Sequence, residues 1–426
     1  MSAEFVLLAV PDVNGSLRGK ALRPDEFDAA LRRGTVMTDL ILGLDPTDTP
    51  ISDYEGFGIR TGAADLIVHP DPETLRECAW RPGWRVCLAT PSWPDGSRCD
   101  FAVREVFRAA IADLAGAGLE LMSAMEYEIR LWDPDGNPLS SGISYSLNEI
   151  ASYARFLDEL VEALDGLRVT LSAVHTEAGP GLLELNLTPG RGLATADDAV
   201  LVKFAVKQVA ASLGIRASFL AKTVPGEEGS SGHVHMSCWQ AERNMFAAPS
   251  PTDPVPQVFA EAIAGVLEHM PAASLLLNPT INSYKRLVPG WFAPINATWG
   301  YENRSCAVRA VRSDRDDLWR FECRRPGADA NPYLALAALT ASIVDGIRTS
   351  ASPPEPVQGD AYALTDAPEL PGSLEAALQA FDDDPVLRAG LGSGFCNYFA
   401  TSRRWELKAW RDTVTDWERE RYERAV

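Results

Sequence analysis

Residues 119–133 read LELMSAMEYEIRLWD, and their period-2 alternation makes them a strand with two unlike faces. Leu121, Met125, Tyr127, Ile129 and Leu131 share an apolar face, while Met122, Ala124, Glu126, Glu128 and Arg130 share the other. Carboxylates at i and i+2 repel and are costly to hold together unless a cation sits between them. The plainer alternative is a solvated strand face.

Outward from this strand, residues 101–117 (FAVREVFRAAIADLAGA) carry helical apolar spacing and end at glycine-rich chain. Residues 152–166 and 195–213 read as two further helices, the latter with Asp197 and Asp198 in its first turn. Between them, residues 169–189 (VTLSAVHTEAGPGLLELNLTP) hold Glu177 and Glu184. Their spacing would put them on opposite faces of one straight strand. Gly179-Pro180-Gly181 breaks it, so a bent pair of strands can aim both inward. In residues 229–237 (GSSGHVHMS), His233 and His235 share a strand face beside a small-residue loop. Two histidines so placed favour a site over a satisfied core pair. His69, His175 and His269 are isolated, and no role follows for them.

Residues 278–332 (NPTINSYKRLVPGWFAPINATWGYENRSCAVRAVRSDRDDLWRFECRRPGADANP) carry Arg286, Arg304, Arg309, Arg320 and Arg324. A run of arginines is ordinarily a solvated face. Here Tyr284, Trp291, Phe292, Trp299 and Trp319 stand among them with Pro and Gly turns, which suggests a shaped, partly buried surface. Guanidinium forks take carboxylate and phosphate oxygens two at a time. In RFECR, Arg320, Glu322 and Arg324 fall on one strand face. A carboxylate between two arginines is either a rung of an ion-pair ladder or a metal ligand beside anion clamps, and these five residues leave both open.

Oxygen-rich ligation with few nitrogens suits Mg²⁺ or Mn²⁺ rather than zinc. Metals with arginines, and no phosphate-binding loop, describe a phosphoryl-transfer site. Gly15 to Lys20 is too short a spacing for such a loop and reads as a turn.

The chain of 426 residues is 46% hydrophobic, enough for a large core and two domains. Residues 1–97 read as a small α+β domain, with the linker PSWPDGSRCD before a second domain at 98–426. A net charge of −20 argues against nucleic acid or an anionic membrane as partner; it reads first as solubility, and otherwise as an acidic entrance that attracts metal ions or a cationic amine. No apolar run is expected to span a bilayer, and the N-terminus lacks a basic leader. Seven cysteines without a CxxC pair suggest reduced core residues of a cytoplasmic protein.

Together these segments resemble the glutamine synthetase family. GSLRGK, MEYE, TEAGPGLLE, GSSGHVHMS, NPTINSYKRLVPG, ENRS, RFECR with NPYLALAAL, and VTDWERERY occur in the family's order over nearly the whole chain. The resemblance implies a β-grasp-like N-terminal domain and a large α+β catalytic domain with a curved antiparallel sheet. It also implies homo-oligomeric rings, a dodecamer of two stacked hexamers, with each active site shared between neighbouring subunits. By the same resemblance, Glu128, Glu177 and Glu184 would ligate one divalent ion, and Glu126, His233 and Glu322 a second. Arg286 and Arg324, with Gly229, would hold the acid substrate. Arg304, Arg309 and Arg320 would hold the phosphates, and His235 and Ser237 would lie along ATP. The implied reaction phosphorylates a side-chain carboxylate, and an amine then displaces phosphate to leave an amide.

Departures from the family bear on the amine. Phe292 stands where glutamine synthetases carry the glutamate that helps deprotonate ammonium, and residues 40–56 lack the FDGSS-like segment whose aspartate cradles it. A ring in place of a carboxylate suggests a wider, more apolar slot for an organic amine. This pattern is similar to the γ-glutamyl-amine ligases, including the polyamine and ethanolamine enzymes. Glu228 and Leu182 replace an asparagine and a glutamine, so the acid is glutamate or a similar amino dicarboxylate. Tyr362 lies where some bacterial relatives are adenylylated, but its surroundings differ and no such control is expected.

Overall fold

Residues 4–426 are described by a computed structural model. Two sheets divide the strands. The first contains β1 (Phe5–Pro11), β2 (Leu17–Leu22), β3 (Thr35–Thr38), β4 (Asp65–Pro70), β5 (Arg76–Glu77) and β6 (Trp84–Ser92). Its order is β2-β1-β6-β4-β3, with β5 beside β6 and a parallel β1–β6 pair at its centre. Val6, Leu8, Val10, Val68, Cys87 and Ala89 pack with Phe27 of the helix Pro24–Arg33. That helix starts on proline with Asp25 and Glu26, ends with Arg32 and Arg33, and so complements its own dipole at both ends. This is the β-grasp-like arrangement that the resemblance implies.

The second, curled sheet holds β7 (Glu120–Trp132), β8 (Leu171–Thr176), β9 (Leu182–Leu187), β10 (Gly190–Arg191), β11 (Arg216–Ser218), β12 (Gly232–Gln240), β13 (Arg243–Asn244), β14 (Trp299–Tyr301), β15 (Val308–Val311) and β16 (Arg320–Cys323). Its order is β14-β15-β16-β12-β7-β9-β8. These pairings are antiparallel apart from β14–β15. The two faces of β7 behave as its alternation predicts: Leu121, Met125, Tyr127, Ile129 and Leu131 are buried in the main core. That face packs against the helices Val103–Gly116 and Ala194–Ser212.

Beneath the sheet, the helices Gln257–Leu277 and Pro332–Thr349 cross with backbones in contact. A Cβ added at Gly265 would lie 2.1 Å from Ser342 O, and one at Gly346 would lie 2.1 Å from Glu261 O. Gln257–Leu277 is long and apolar enough by composition to cross a bilayer, contrary to the expectation that no run would qualify. It is nonetheless a core helix, with 83% of its apolar window buried.

His269 on this helix is a tether. Its Nδ1 lies 2.8 Å from Asp384 Oδ2 and its Nε2 lies 3.0 Å from Asp345 Oδ2. Burial works against the imidazolium, but the two aspartates outweigh it and raise the His269 pKa. A raised folded-state pKa stabilises fully below the unfolded value of about 6.5, and the gain disappears as pH rises through the folded value. His269→Gln should therefore cost about 2 kcal/mol in urea melts near pH 6 and much less near pH 9. An equal loss at both pH values would show that the imidazole acts through packing alone.

Contacts between the N-terminal strands and the rest of the chain are polar as well as apolar. Arg104 is buried and donates from Nε and Nη2 to the two Asp197 oxygens, at 2.8 and 2.7 Å. Its Nη2 also reaches Asp71 Oδ2 at 3.0 Å, and the Tyr333 hydroxyl donates to Asp197 Oδ1 at 2.6 Å. Asp197 thus does more than face its helix dipole. It joins the segment after β4 to two catalytic-side helices.

Candidate active site

Strand register builds the site. Glu126 lies opposite Asn186 on one side and His233 on the other. Glu128 lies opposite Glu184, which lies opposite His175. His235 lies opposite Glu322, which lies opposite Arg309. Residues facing each other across a ladder share a face, so the polar alternates of six strands gather on one side while their apolar neighbours fill the core. The turn at residues 177–181 brings Glu177 and Glu184 to the same cavity, as the Gly-Pro-Gly break allows.

That cavity measures about 780 Å³ and is lined by Glu126, Glu128, Glu177, Glu184, His233 and Glu322. His235, Gly229, Phe292, Arg286, Arg304, Arg309, Arg320 and Arg324 line it too. Ser237 lies apart, in an adjoining space of about 240 Å³ that shares Glu126, Asn186, His235 and Arg320. Every residue that the resemblance placed at the metals, the nucleotide or the acid therefore lies in one of two joined cavities.

Ligand atoms close enough to share an ion, within 4.8 Å, group as Glu126/Glu184/His233, Glu126/His235/Glu322 and His175/Glu177/Glu184. This division differs from the expected one. Glu126 is shared between two groups, and Glu128 instead accepts the Ser231 amide at 2.7 Å. His175 enters because the β8–β9 register sets it against Glu184, with Nε2 3.0 Å from Glu184 Oε1 and Nδ1 3.3 Å from Glu177 Oε1. Its ring also stacks on Tyr145 at 4.2 Å. His175 and Asn186, whose Nδ2 donates to Glu184 Oε1 at 2.7 Å, escaped the sequence reading. The signal was present, since His175 and Glu177 repeat the i, i+2 spacing that selected Glu126 and Glu128.

Electrostatics split the carboxylates. Burial works against the charge of Glu322, but Arg324, His233 and His235 outweigh it and bring its pKa down to about 2. Burial likewise opposes the charge of Glu126, which His235 and His233 hold well below the usual range. Burial, with Glu128 and Glu184 nearby, pushes Glu177 up to about 7. Burial chiefly raises Glu128 as well. The face thus has a firmly ionised end at Glu126 and Glu322 and a crowded end at Glu177 and Glu128, where further positive charge would relieve repulsion.

The arginines are set unequally. Arg286 is buried, with Nη1 donating to Ser231 Oγ at 3.1 Å and Nη2 to Arg325 O. A Cβ on Gly229 would lie 2.4 Å from both Arg286 Cγ and Ala221 O, so only glycine fits there. Arg309 spans Glu322 and Glu302 at 2.9 and 2.7 Å. Arg324 pairs with Glu322 and donates to Arg304 O at 3.0 Å. Arg320 donates from Nε to His235 Nδ1 at 3.0 Å. Arg324 of RFECR and Arg309 thus form an ion-pair ladder on Glu322, a carboxylate that also belongs to a ligand group, while Arg320 turns to His235. The Arg304 side chain makes no hydrogen bond or ion pair among the described residues and is exposed.

At the mouth, Phe292 is 58% exposed with φ of 51°. Tyr145 and Glu302 share that left-handed conformation, at φ of 53° and 51°. Bulky residues rarely adopt it, and it gathers at functional sites.

The profile described as the glutamine synthetase catalytic domain matches residues 101–422. Gamma-glutamylethanolamide synthetase GlnA4 of Streptomyces coelicolor is 33% identical over 97% of this chain and 91% of its own length. Type-1 glutamine synthetase 2 of Dictyostelium discoideum is 31% identical over 98% of this chain and 83% of its own. The solved structure described as apo GmaS without ligand superposes with a TM-score of 0.87 at 28% identity, covering 99% of this chain and 97% of that one. A fold, a profile and whole-length relatives agree: the chain belongs to the glutamine synthetase family and is an ATP-dependent carboxylate–amine ligase.

Proposed function

We propose that this ligase joins glutamate, or a similar amino dicarboxylate, to an organic amine rather than to ammonia. The observation that carries this reading is Phe292. At the cavity mouth, where the family's ammonia enzymes are expected to carry a carboxylate, this chain exposes an aromatic ring. Ammonium needs buried negative charge to be held and deprotonated, and a phenyl face offers none.

The reaction follows from the groups around the cavity. A side-chain carboxylate oxygen attacks the γ-phosphorus of ATP and ADP departs. The amine nitrogen then attacks the acyl carbon, the C–O bond to phosphate breaks, and the nitrogen loses a proton. Arg286 and Arg324 orient the acid, and Arg304, Arg309 and Arg320 take charge that spreads over the transferring phosphoryl oxygens. His235 and Ser237 lie along the nucleotide.

The donor set fits divalent metal: five carboxylates crowd one face, and the buried His233 Nε2 has no hydrogen-bond partner among the described residues. Glu126, Glu128, Glu177, Glu184, His233 and Glu322 would hold two or more Mg²⁺ or Mn²⁺ ions, with His175 beside them. Bound there, the ions would neutralise phosphate oxygens. A cytoplasmic location belongs to the same reading, supported by seven buried cysteines that are all free. Ring assembly, as a dodecamer, belongs to it too.

The test is phosphate release from ATP with glutamate and Mg²⁺ across an amine panel that includes ammonium. One or more organic amines should exceed ammonium, and Phe292→Glu should move the ratio towards ammonium by about tenfold or more. Ammonium as the best substrate, with a ratio that Phe292→Glu leaves alone, would return the chain to the ammonia-using enzymes.

A further inference from the structure

A second cavity of about 730 Å³ adjoins the first and shares Gly290, Phe292 and Arg304 with it. Residues 301–305 form one wall and residues 356–362 the other. The walls are riveted together: Asn303 Nδ2 donates to Val357 O at 3.2 Å and Gly359 O at 2.8 Å, and the Ala361 amide donates to Ser305 Oγ at 2.9 Å. It is therefore a built space rather than a gap between loose loops. Its size is excessive for ammonia and for the smallest alkylamines.

The charges in it are unequally used. Glu302 is saturated, with one oxygen 2.7 Å from Arg309 Nη2 and the other accepting the Arg312 amide at 2.8 Å. Asp360 spends one oxygen on the Tyr362 amide at 2.9 Å and lies exposed at the rim. Among the described residues, the guanidinium groups of Arg304 and Arg312 have no anionic partner; that of Arg312 lies over the Tyr301 ring, 4.0 Å from its centroid. A cation–π contact of this kind holds the guanidinium in place and leaves N–H groups available to a carboxylate. Arg304 lines both cavities, and Arg312 lines the second and not the first.

We propose that the second cavity receives the tail of the acceptor amine, and that this tail carries an anionic group, a carboxylate, held by Arg312. This inference rests on the organic-amine reading above and narrows it: the acceptor is an amino acid or aminoaryl acid rather than the cationic amine that net charge suggested. The amine end meets the acyl carbon beside Phe292, and the acid end points away from the metal face, where its charge is not opposed by Glu126 or Glu322.

The test compares matched acceptors with and without the acid: propylamine against β-alanine, and aniline against 4-aminobenzoate. Hydroxylamine, as a small tail-less nucleophile, reports whether the activated acid forms at all. In at least one pair the acid-bearing member should show the higher kcat/KM. Arg312→Gln should lower that member's kcat/KM about tenfold more than its neutral partner's, chiefly through KM, and Arg312→Lys should restore part of the difference. Hydroxamate formation with no preference for either acid-bearing amine overturns the inference and leaves the ligase reading standing. Absence of hydroxamate removes both. Propionate altering turnover with hydroxylamine, without acid-bearing amines being used, would make the cavity an effector site and overturn the inference as well.

Discussion

Glu322→Gln is expected to reduce turnover by about a thousandfold, or ~4 kcal/mol of barrier, with any acceptor. Its carboxylate is buried, held at about 2, and touches Arg324, Arg309 and the His233 ring. Glutamine keeps the shape and removes the charge. Two guanidinium groups then lose their anchor, and one ligand group loses an oxygen anion. ADP formation in a coupled assay measures the first consequence. The second is read without turnover: Mg²⁺ should raise the melting temperature of the parent protein and raise that of the variant much less, since a ligand stabilises only what binds it. A variant within tenfold of the parent, with an undiminished Mg²⁺ shift, would make Glu322 a strut of the ladder and nothing more.

Arg104→Leu is expected to cost about 3–5 kcal/mol of stability, because it leaves the Asp197 carboxylate buried beside the Tyr333 hydroxyl with its cation gone. The pairing joins the helix Val103–Gly116 to Ala194–Ser212 and reaches back to Asp71. Arg104→Leu with Asp197→Leu should recover much of the loss, since an apolar pair of similar volume removes both charges together. Denaturant melts of the two single variants and the double variant measure the coupling. A single-variant loss below about 1 kcal/mol would place this pair with the surface bridges.

The strands were legible because their residues alternate. Glu126 and Glu128 stood out against Tyr127 and Ile129, and the structure puts the two sets on opposite faces of β7. Glu177 and Glu184 were legible only through the glycines between them. His175 was passed over as an isolated histidine although it stands two residues before Glu177, and its partner Glu184 comes from the next strand. Pairings across long separations left no trace in local spacing at all. Arg104 and Asp197 stand 93 residues apart, and Asn303 finds its carbonyl at Gly359, 56 residues on. The second cavity belongs to that class: two irregular segments that the chain brings together only in three dimensions. Resemblance carried the sequence reading past these limits for the first cavity, whose motifs are shared by the family. For the second cavity it supplied one wall, the ENRS motif at residues 302–305, and no motif for the facing residues 356–362.

The ladder across β8, β9, β7, β12, β16 and β15 has a consequence for how such a chain can change. Every reactive side chain on these strands is tied to its face by parity, so inserting or deleting one residue within β7 or β12 would turn the carboxylates of the one or the histidines of the other into the core and the apolar set into the cavity. Lineages can substitute along these strands but cannot lengthen or shorten them by single codons. The segments around Tyr145, Phe292 and residues 356–362 obey no such parity. Variation in length and kind is free to accumulate there, and new acceptors would be recruited at the rim while the phosphorylating face descends unaltered.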